Sequence, residues 1–120
     1  MKTLENIQYS TPAETLGRRL QNPNNFSTEY IRILGQLGRT ADPAAARYIA
    51  EFFDMPGIVG KKAAQALVKL ARSNAGCAQA AIERCDALIT KHLDADEIRN
   101  ARWVLARVER PVEQTLPNAA

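Results

Sequence analysis

Apolar side chains recur along this sequence at a spacing of 33 residues, and this recurrence limits the folds that the chain can adopt. A shift of 33 residues places Leu34 on Leu67 and Leu16 on Ile49, and a further shift of 38 residues places Leu67 on Leu105. One such unit cannot bury its apolar face alone, whereas stacked units share a continuous core. The recurrence therefore predicts three similar units. A plain six-helix bundle that happens to look repetitive is the alternative.

The residue types predict that each unit is a pair of helices. The chain of 120 residues is 46% hydrophobic but only 6% aromatic, and alanine and leucine supply much of the apolar share. Alanine loses no side-chain entropy in a helix and lets neighbouring helices approach closely. A chain of this length has room for one core. We therefore predict an all-α fold, an α-α superhelix of about three stacked antiparallel helix pairs.

Capping residues and prolines mark where these helices begin and end. Thr11 precedes Pro12 and Glu14, which is the pattern of a capping box with proline at the first helical position. Gly38 is predicted to be a C-terminal glycine, and the run 74–76 is predicted to break the chain. The predicted helices cover about 11–21, 27–38 (capped by Ser27), 42–53 (capped by Asp42), 58–72, 77–92 and 94–110 (capped by Asp94 or Asp96). The predicted domain is 11–110, with a flexible arm at 1–10 and a flexible tail at 111–120, which starts at Pro111.

Two stretches of the sequence carry the pattern of a known helical repeat. Residues 31–38 read Ile-Arg-Ile-Leu-Gly-Gln-Leu-Gly, and residues 41–45 read Ala-Asp-Pro-Ala-Ala. From Ser27 to Val108 the chain resembles the short bacterial HEAT-like repeat, including the phycobilisome-lyase type. It departs where Gly60 and Lys61 stand in place of the family's usual Val-Arg, and the third unit lacks the Leu-Gly ending. The resemblance implies that the second helices of the pairs line a concave side.

The net charge of +3 is compatible with an acidic partner and is far from that of a nucleic-acid packing protein. Applying the repeat offsets to the second helices aligns their outward polar positions into one stripe, in which each trio has the spacing that keeps it on one helix face. By the resemblance, this stripe would be a basic groove. The predicted partner-binding residues are Arg32, Gln36, Arg39, Gln65, Lys69, Arg72, Trp103, Arg107 and Arg110. The alternative is a solvated polar face on which Trp103 covers the end of the core.

Three functions follow from this stripe and from the resemblance. The first hypothesis is a non-catalytic protein-protein interaction module, a scaffold or adapter that binds an acidic protein or peptide. The second is a nucleic-acid-binding helical repeat, whose affinity would fall steeply with salt. The third and most remote is a lyase-type enzyme, since some relatives of this repeat type are lyases. A homodimer through an end pair is also possible, because terminal repeats without polar caps expose apolar surface.

The residues that could carry chemistry do not form a catalytic or metal-binding pattern. His92 is the only histidine, and beside Lys91 near a helix end it is expected to be solvated. Cys77 and Cys85 are about 12 Å apart along one helix, beyond disulfide reach, so both are expected to be reduced core residues. An acidic trio near the start of the last helix is explained by capping better than by a cation: Asp94, Asp96 and Glu97. No enzyme activity, metal or cofactor is therefore predicted.

The N-terminal residues have no apolar run behind Lys2, so no signal peptide is expected. No stretch approaches 18 apolar residues, which argues against a membrane span. The expected location is the cytoplasm.

Overall fold

Six helices form the regular structure of residues 11–22, 24–91 and 95–109, which are the residues that the computed structural model describes. They are α1 (Pro12–Leu20), α2 (Ser27–Gly38), α3 (Ala45–Ala50), α4 (Ile58–Ala71), α5 (Ala75–Thr90) and α6 (Ala95–Glu109). No strand occurs in this part of the chain, which confirms the all-α class for it. The predicted arm and tail, together with His92, Asp94 and Arg110, lie outside the described residues.

The first helix begins as its capping residues predict. The Thr11 hydroxyl accepts a hydrogen bond from the Glu14 backbone N–H at 3.1 Å, and the Glu14 carboxylate accepts one from the Thr11 N–H at 3.0 Å. These two bonds satisfy donors that a helix start otherwise leaves free. The pKa of Glu14 is held below its ordinary value chiefly by the bond from the Thr11 N–H, and also by a bond that the Thr11 hydroxyl donates to the same carboxylate at 3.1 Å.

Two later caps differ from the prediction. Ser27 is the first residue of α2 rather than its cap, because Phe26 occupies the cap position and no side chain caps this helix. Asp42 does not cap α3 directly. Its carboxylate accepts from the Ala44 N–H at 3.0 Å and its carbonyl from the Ala45 N–H at 2.9 Å, so residues 42–45 form a turn before the helix begins.

Helix α3 also ends earlier than predicted, at Ala50. The Phe52 and Phe53 N–H groups bond to carbonyls three residues back instead of four, so the chain continues as tight turns. Phe53 is nevertheless fully buried. The apolar spacing thus predicted the burial of Phe53 correctly and its backbone conformation wrongly.

Helix α5 starts two residues before the predicted position. Asn74, predicted to break the chain, is its N-cap, and the Asn74 side-chain oxygen accepts a hydrogen bond from the Cys77 N–H at 2.8 Å. The Asn74 amide also donates to the Ala41 carbonyl at 3.2 Å, which ties the start of α5 to the turn before α3. One asparagine therefore both begins a helix and joins two helix pairs.

The core consists of apolar residues from all six helices, and among the described residues no polar or charged side chain is buried. The predicted stripe of α4 is buried as expected, namely Val59, Ala63, Ala66, Leu67 and Leu70. Gly38 ends α2 and lies against α4: a Cβ at this position would be 2.9 Å from the Ala66 carbonyl oxygen. Its role is thus close helix approach rather than a left-handed cap.

Contacts between helices follow a simple order. Each helix contacts the next helix in the chain, from α1 on α2 through to α5 on α6. Helices two apart along the chain also contact each other: α1 contacts α3 and α3 contacts α5, while α2 contacts α4 and α4 contacts α6. Within the described residues, α1 does not contact α5 and α2 does not contact α6. The even-numbered helices therefore adjoin one another in chain order.

None of the described helices has the length and apolar character needed to cross a membrane.

Candidate partner-binding face

A groove of about 270 Å³ lies between α2 and α4, and we call it the α2–α4 groove. It forms because Gly35 and Ala66 present little or no side chain between the two helices. Longer side chains from both helices flank this small-residue floor. The lining residues are Ile31, Gly35, Arg39, Lys62, Gln65, Ala66 and Lys69.

A second groove of about 230 Å³, the α4–α6 groove, lies on the other flank of α4. Its lining residues are Lys61, Ala64, Gln65, Arg99, Asn100 and Trp103. The Asn100 amide donates to the Phe53 carbonyl at 2.9 Å, which fixes α6 against the turn that precedes α4. Because Gln65 lines both grooves, they form one continuous surface, which we call the basic face.

The charges on this surface all have one sign. Among the residues that line the two grooves, five are cationic and none is acidic: Arg39, Lys61, Lys62, Lys69 and Arg99. All five are exposed. Only Arg99 has an ion-pair partner among the described residues, Asp96 at 3.7 Å, and that pair is too exposed to neutralise it firmly. The basic face can therefore attract an anionic surface.

Four of the predicted binding residues line the grooves. Arg39 and Lys69 flank the α2–α4 groove, Trp103 lies in the α4–α6 groove, and Gln65 joins the two. Trp103 is half-buried, and the Arg107 guanidinium stacks over its ring at 3.9 Å from the ring centroid. Arg107, also predicted, thus lies beside the groove as a support for the tryptophan.

The structure does not bring the other predicted residues into the grooves. Arg32 is exposed and pairs with Glu29 of its own helix at 2.6 Å. The Gln36 side-chain oxygen is shielded from solvent and has no hydrogen-bond partner among the described residues, so it faces inward. Arg72 is exposed beyond the groove lining, and Arg110 lies outside the described residues.

Lys61, Lys62, Arg99 and Asn100 were not among the predicted binding residues. They line the grooves because α4 packs between α2 and α6 and therefore has two flanks, whereas the repeat offsets identified a single outward stripe. One signal could have found the lysines: Lys61 and Lys62 lie four and three residues before Gln65, which is neighbouring spacing on a helix.

A third groove, of about 350 Å³, lies between α3 and α5 and differs in character. Its floor is mostly alanine, and its charged residues are of both signs, namely Arg47, Glu83 and Arg84. Although it is larger, this α3–α5 groove has no uniform charge and no large aromatic side chain. The basic face is the better candidate for recognition.

The remaining reactive groups suit a structural role. Cys77 and Cys85 are both buried and unpaired, as predicted. Burial, and to a smaller extent the nearby Asp86 carboxylate, raise the pKa of the Cys85 thiol to about 12. A thiol with such a pKa stays neutral and is a poor nucleophile. Among the described residues, no three His, Cys, Asp or Glu side chains lie close enough to hold a metal ion.

Comparison with known proteins finds no matching family model, no matching curated protein and no matching solved structure. The basic face is therefore interpreted from its own geometry.

Proposed function

We propose that this chain is a non-catalytic protein-protein interaction module, a scaffold or adapter that binds an acidic partner through the basic face. The observation that carries the proposal is the single sign of charge along two adjoining grooves on α2, α4 and α6. Five exposed cations line these grooves, with one carboxylate, Asp96, beside Arg99. The like charges repel one another, and an acidic partner relieves that repulsion on binding. The basic residues then set orientation and association rate.

The recurrence in the sequence supports the same proposal. At the offset of 38 residues, Lys62 and Gln65 of the first groove correspond to Asn100 and Trp103 of the second. Equivalent positions thus line successive grooves. We take the chain to be a short HEAT-like stack of three helix pairs, in which the even-numbered helices provide the binding side.

Trp103 supplies the contact area that charge alone lacks. Exposed ion pairs contribute little each, about 0 to 1 kcal/mol, because water and salt screen them. Tryptophan and arginine, by contrast, are common among the residues that dominate binding energy at interfaces. We therefore place the apolar anchor of the interface at Trp103 and the steering charges around it.

The proposal is tested by affinity capture with three forms of the full chain. The first is the wild type, and the second carries Lys62→Glu with Lys69→Glu. The third carries Arg47→Glu with Arg84→Glu in the α3–α5 groove, a matched control with the same change in net charge. Nuclease-treated host lysate is passed over each, and the captured proteins are identified by mass spectrometry.

We expect proteins with acidic segments to be retained by the wild type and by the control and lost with the Lys62/Lys69 variant. Circular dichroism should show equal helicity in all three forms. Equal capture by the Lys62/Lys69 variant would remove the basic face as the binding site. Retention of nucleic acid before nuclease treatment, with no protein retained after it, would replace the proposal by nucleic-acid binding.

A further inference from the structure

Gly35 differs from the other helical glycines because no neighbouring atom would be crowded by a Cβ at its position. A Cβ built at Gly35 has no atom within 4 Å, whereas one at Gly38 would overlap the backbone of Ala66. Glycine inside a helix is less favourable than alanine because it loses more backbone freedom on folding. The packing of α2 therefore gains nothing from glycine at this position.

What Gly35 does provide is open space on the floor of the α2–α4 groove, which it lines together with Ala66. Any larger side chain there would project into that groove, since nothing else surrounds it. Ile31 adds an apolar wall, and the cations Arg39, Lys62 and Lys69 flank the opening. The floor is thus apolar and open while the rim is basic.

We propose that the α2–α4 groove receives an acidic amphipathic helix of the partner protein, one of whose apolar side chains sits against Gly35. This inference rests on the proposed function, since it assigns the form of the acidic partner to one part of the basic face. Recognition of an amphipathic helix in a groove between helices is a common mode of binding.

The spacing of the lysines favours a helix over an extended strand. Lys62 and Lys69 are one heptad apart on α4, which is about 10.5 Å along the helix axis. A partner helix lying alongside presents carboxylates seven residues apart at the same interval. An extended strand presents side chains of one face about 6.7 Å or 13 Å apart, and neither distance matches.

Ile58, at the start of α4, is an exposed apolar residue one turn before Lys62. It lies four residues before Lys62, hence on the same face of α4, and it is 57% exposed. An exposed isoleucine beside basic residues suits a partner with apolar and acidic side chains on adjoining faces. The same position would serve an entirely polar partner poorly.

The experiment uses two fluorescein-labelled synthetic peptides of about 20 residues, long enough to form roughly 30 Å of helix. The helical probe carries a row of leucines flanked by glutamates one heptad apart. The second probe has the same composition, rearranged around central prolines that prevent a helix. Fluorescence anisotropy measures the binding of each probe to the wild type and to three variants of the full chain, Gly35→Leu, Gln79→Leu and the Lys62/Lys69 variant.

We expect the wild type to prefer the helical probe and Gly35→Leu to weaken that binding about tenfold or more. Gln79→Leu, which adds leucine on exposed α5, should bind like the wild type. The Gly35→Leu variant should melt no lower than the wild type, which separates a filled groove from a damaged fold.

If both probes bind equally and both depend on Lys62 and Lys69, the partner is acidic as proposed, but the proposal that it binds as a helix is overturned. If Gly35→Leu binds the helical probe as tightly as the wild type, the proposed contact of a partner side chain with Gly35 is wrong. If neither probe binds the wild type, the inference fails as a whole, while the capture experiment decides the proposed function separately.

Discussion

The glycines of this chain have different structural roles, which depend on the atoms that a Cβ at each position would meet. Gly60 lies in the first turn of α4, where a Cβ would overlap the Met55 carbonyl oxygen and approach the Phe53 carbonyl oxygen at 3.0 Å. Both neighbours are backbone atoms, which cannot rotate away as a side chain could. Gly35 has no such neighbour. The same residue type is thus required by packing at one position and by groove access, as we propose, at the other.

We expect Gly60→Ala to lower the free energy of unfolding by about 2 kcal/mol through overpacking. Gly35→Ala is the matched control, and it should raise stability by roughly 0.5–1 kcal/mol because alanine is the better helix former. Urea denaturation followed by circular dichroism measures both. Equal stability of Gly60→Ala and the wild type would contradict the tight approach of α4 to the preceding turn.

The cysteines allow a second prediction at this scale. Because burial raises the pKa of both thiols, Cys85 and Cys77 should be neutral at mildly alkaline pH and should react only when the chain opens. Mass spectrometry after iodoacetamide treatment should find both unlabelled in the native protein and both labelled in urea. Rapid labelling of Cys85 in the native state would show that its surroundings are open to solvent.

At the scale of elements, polar side chains on two helices form hydrogen bonds to the turns beside other helices. Asn74 caps α5 with its side-chain oxygen, and with its amide it binds the Ala41 carbonyl. Asn100 on α6 similarly reaches the turn that precedes α4. A capping side chain of α5 and a side chain within α6 thus bind the turns that precede α3 and α4. These hydrogen bonds add to the apolar contacts between the helices.

The two roles of Asn74 can be separated by two substitutions. Asn74→Ala removes both hydrogen bonds and should cost about 1–2 kcal/mol of stability. Asn74→Asp keeps the capping oxygen and loses only the donor to Ala41, so it should cost about half as much. Thermal unfolding of the three proteins gives the ranking. If Asn74→Asp is as destabilising as Asn74→Ala, the link to Ala41 dominates and the cap contributes little.

The sequence predicted elements best where capping chemistry was unambiguous. Thr11, Pro12 and Glu14 located α1 because together they form a capping box with proline at the first helical position. The run from Asn74 to Gly76 was misread because asparagine and glycine suit both turns and helix caps, and only the Cys77 N–H contact distinguishes them. The end of α3 was missed because apolar spacing reports burial, and Phe53 is buried in a turn.

At the scale of the whole molecule, the helices differ in how many neighbours they have. Among the described helices, α4 packs against α2, α3, α5 and α6, whereas α1 packs only against α2 and α3. A helix packed against few neighbours opens locally more readily than one packed against several. The groove residues that α4 contributes therefore stand on the best-supported helix.

We expect the amides of α4 to exchange with solvent most slowly and those of α1 most quickly. Hydrogen–deuterium exchange followed by mass spectrometry gives the order directly. Leu67→Ala, at a fully buried position of α4, should accelerate exchange in α4 and in the helices packed against it, and should cost about 3 kcal/mol. Exchange in α1 as slow as in α4 would show that the helices unfold as one unit.

The candidate site was predictable only in part for a reason that belongs to this scale. The recurrence along the chain located Arg39, Gln65, Lys69 and Trp103 because it aligned positions on α2, α4 and α6, and these helices adjoin one another. It could not show that α4 has a neighbour on each flank, which is what brings Lys61 and Lys62 into the grooves. Nor could spacing show that the Gln36 oxygen turns inward, since that depends on packing around one side chain.

The stacking of Arg107 on Trp103 has a practical consequence. The chain has a single tryptophan, and it lies in the α4–α6 groove with a guanidinium against its ring. The intrinsic fluorescence of the protein at tryptophan wavelengths therefore reports on the α4–α6 groove. Any molecule that enters this groove or shifts the arginine changes the polarity around the indole, so occupancy can be followed optically in the unlabelled, unmutated protein.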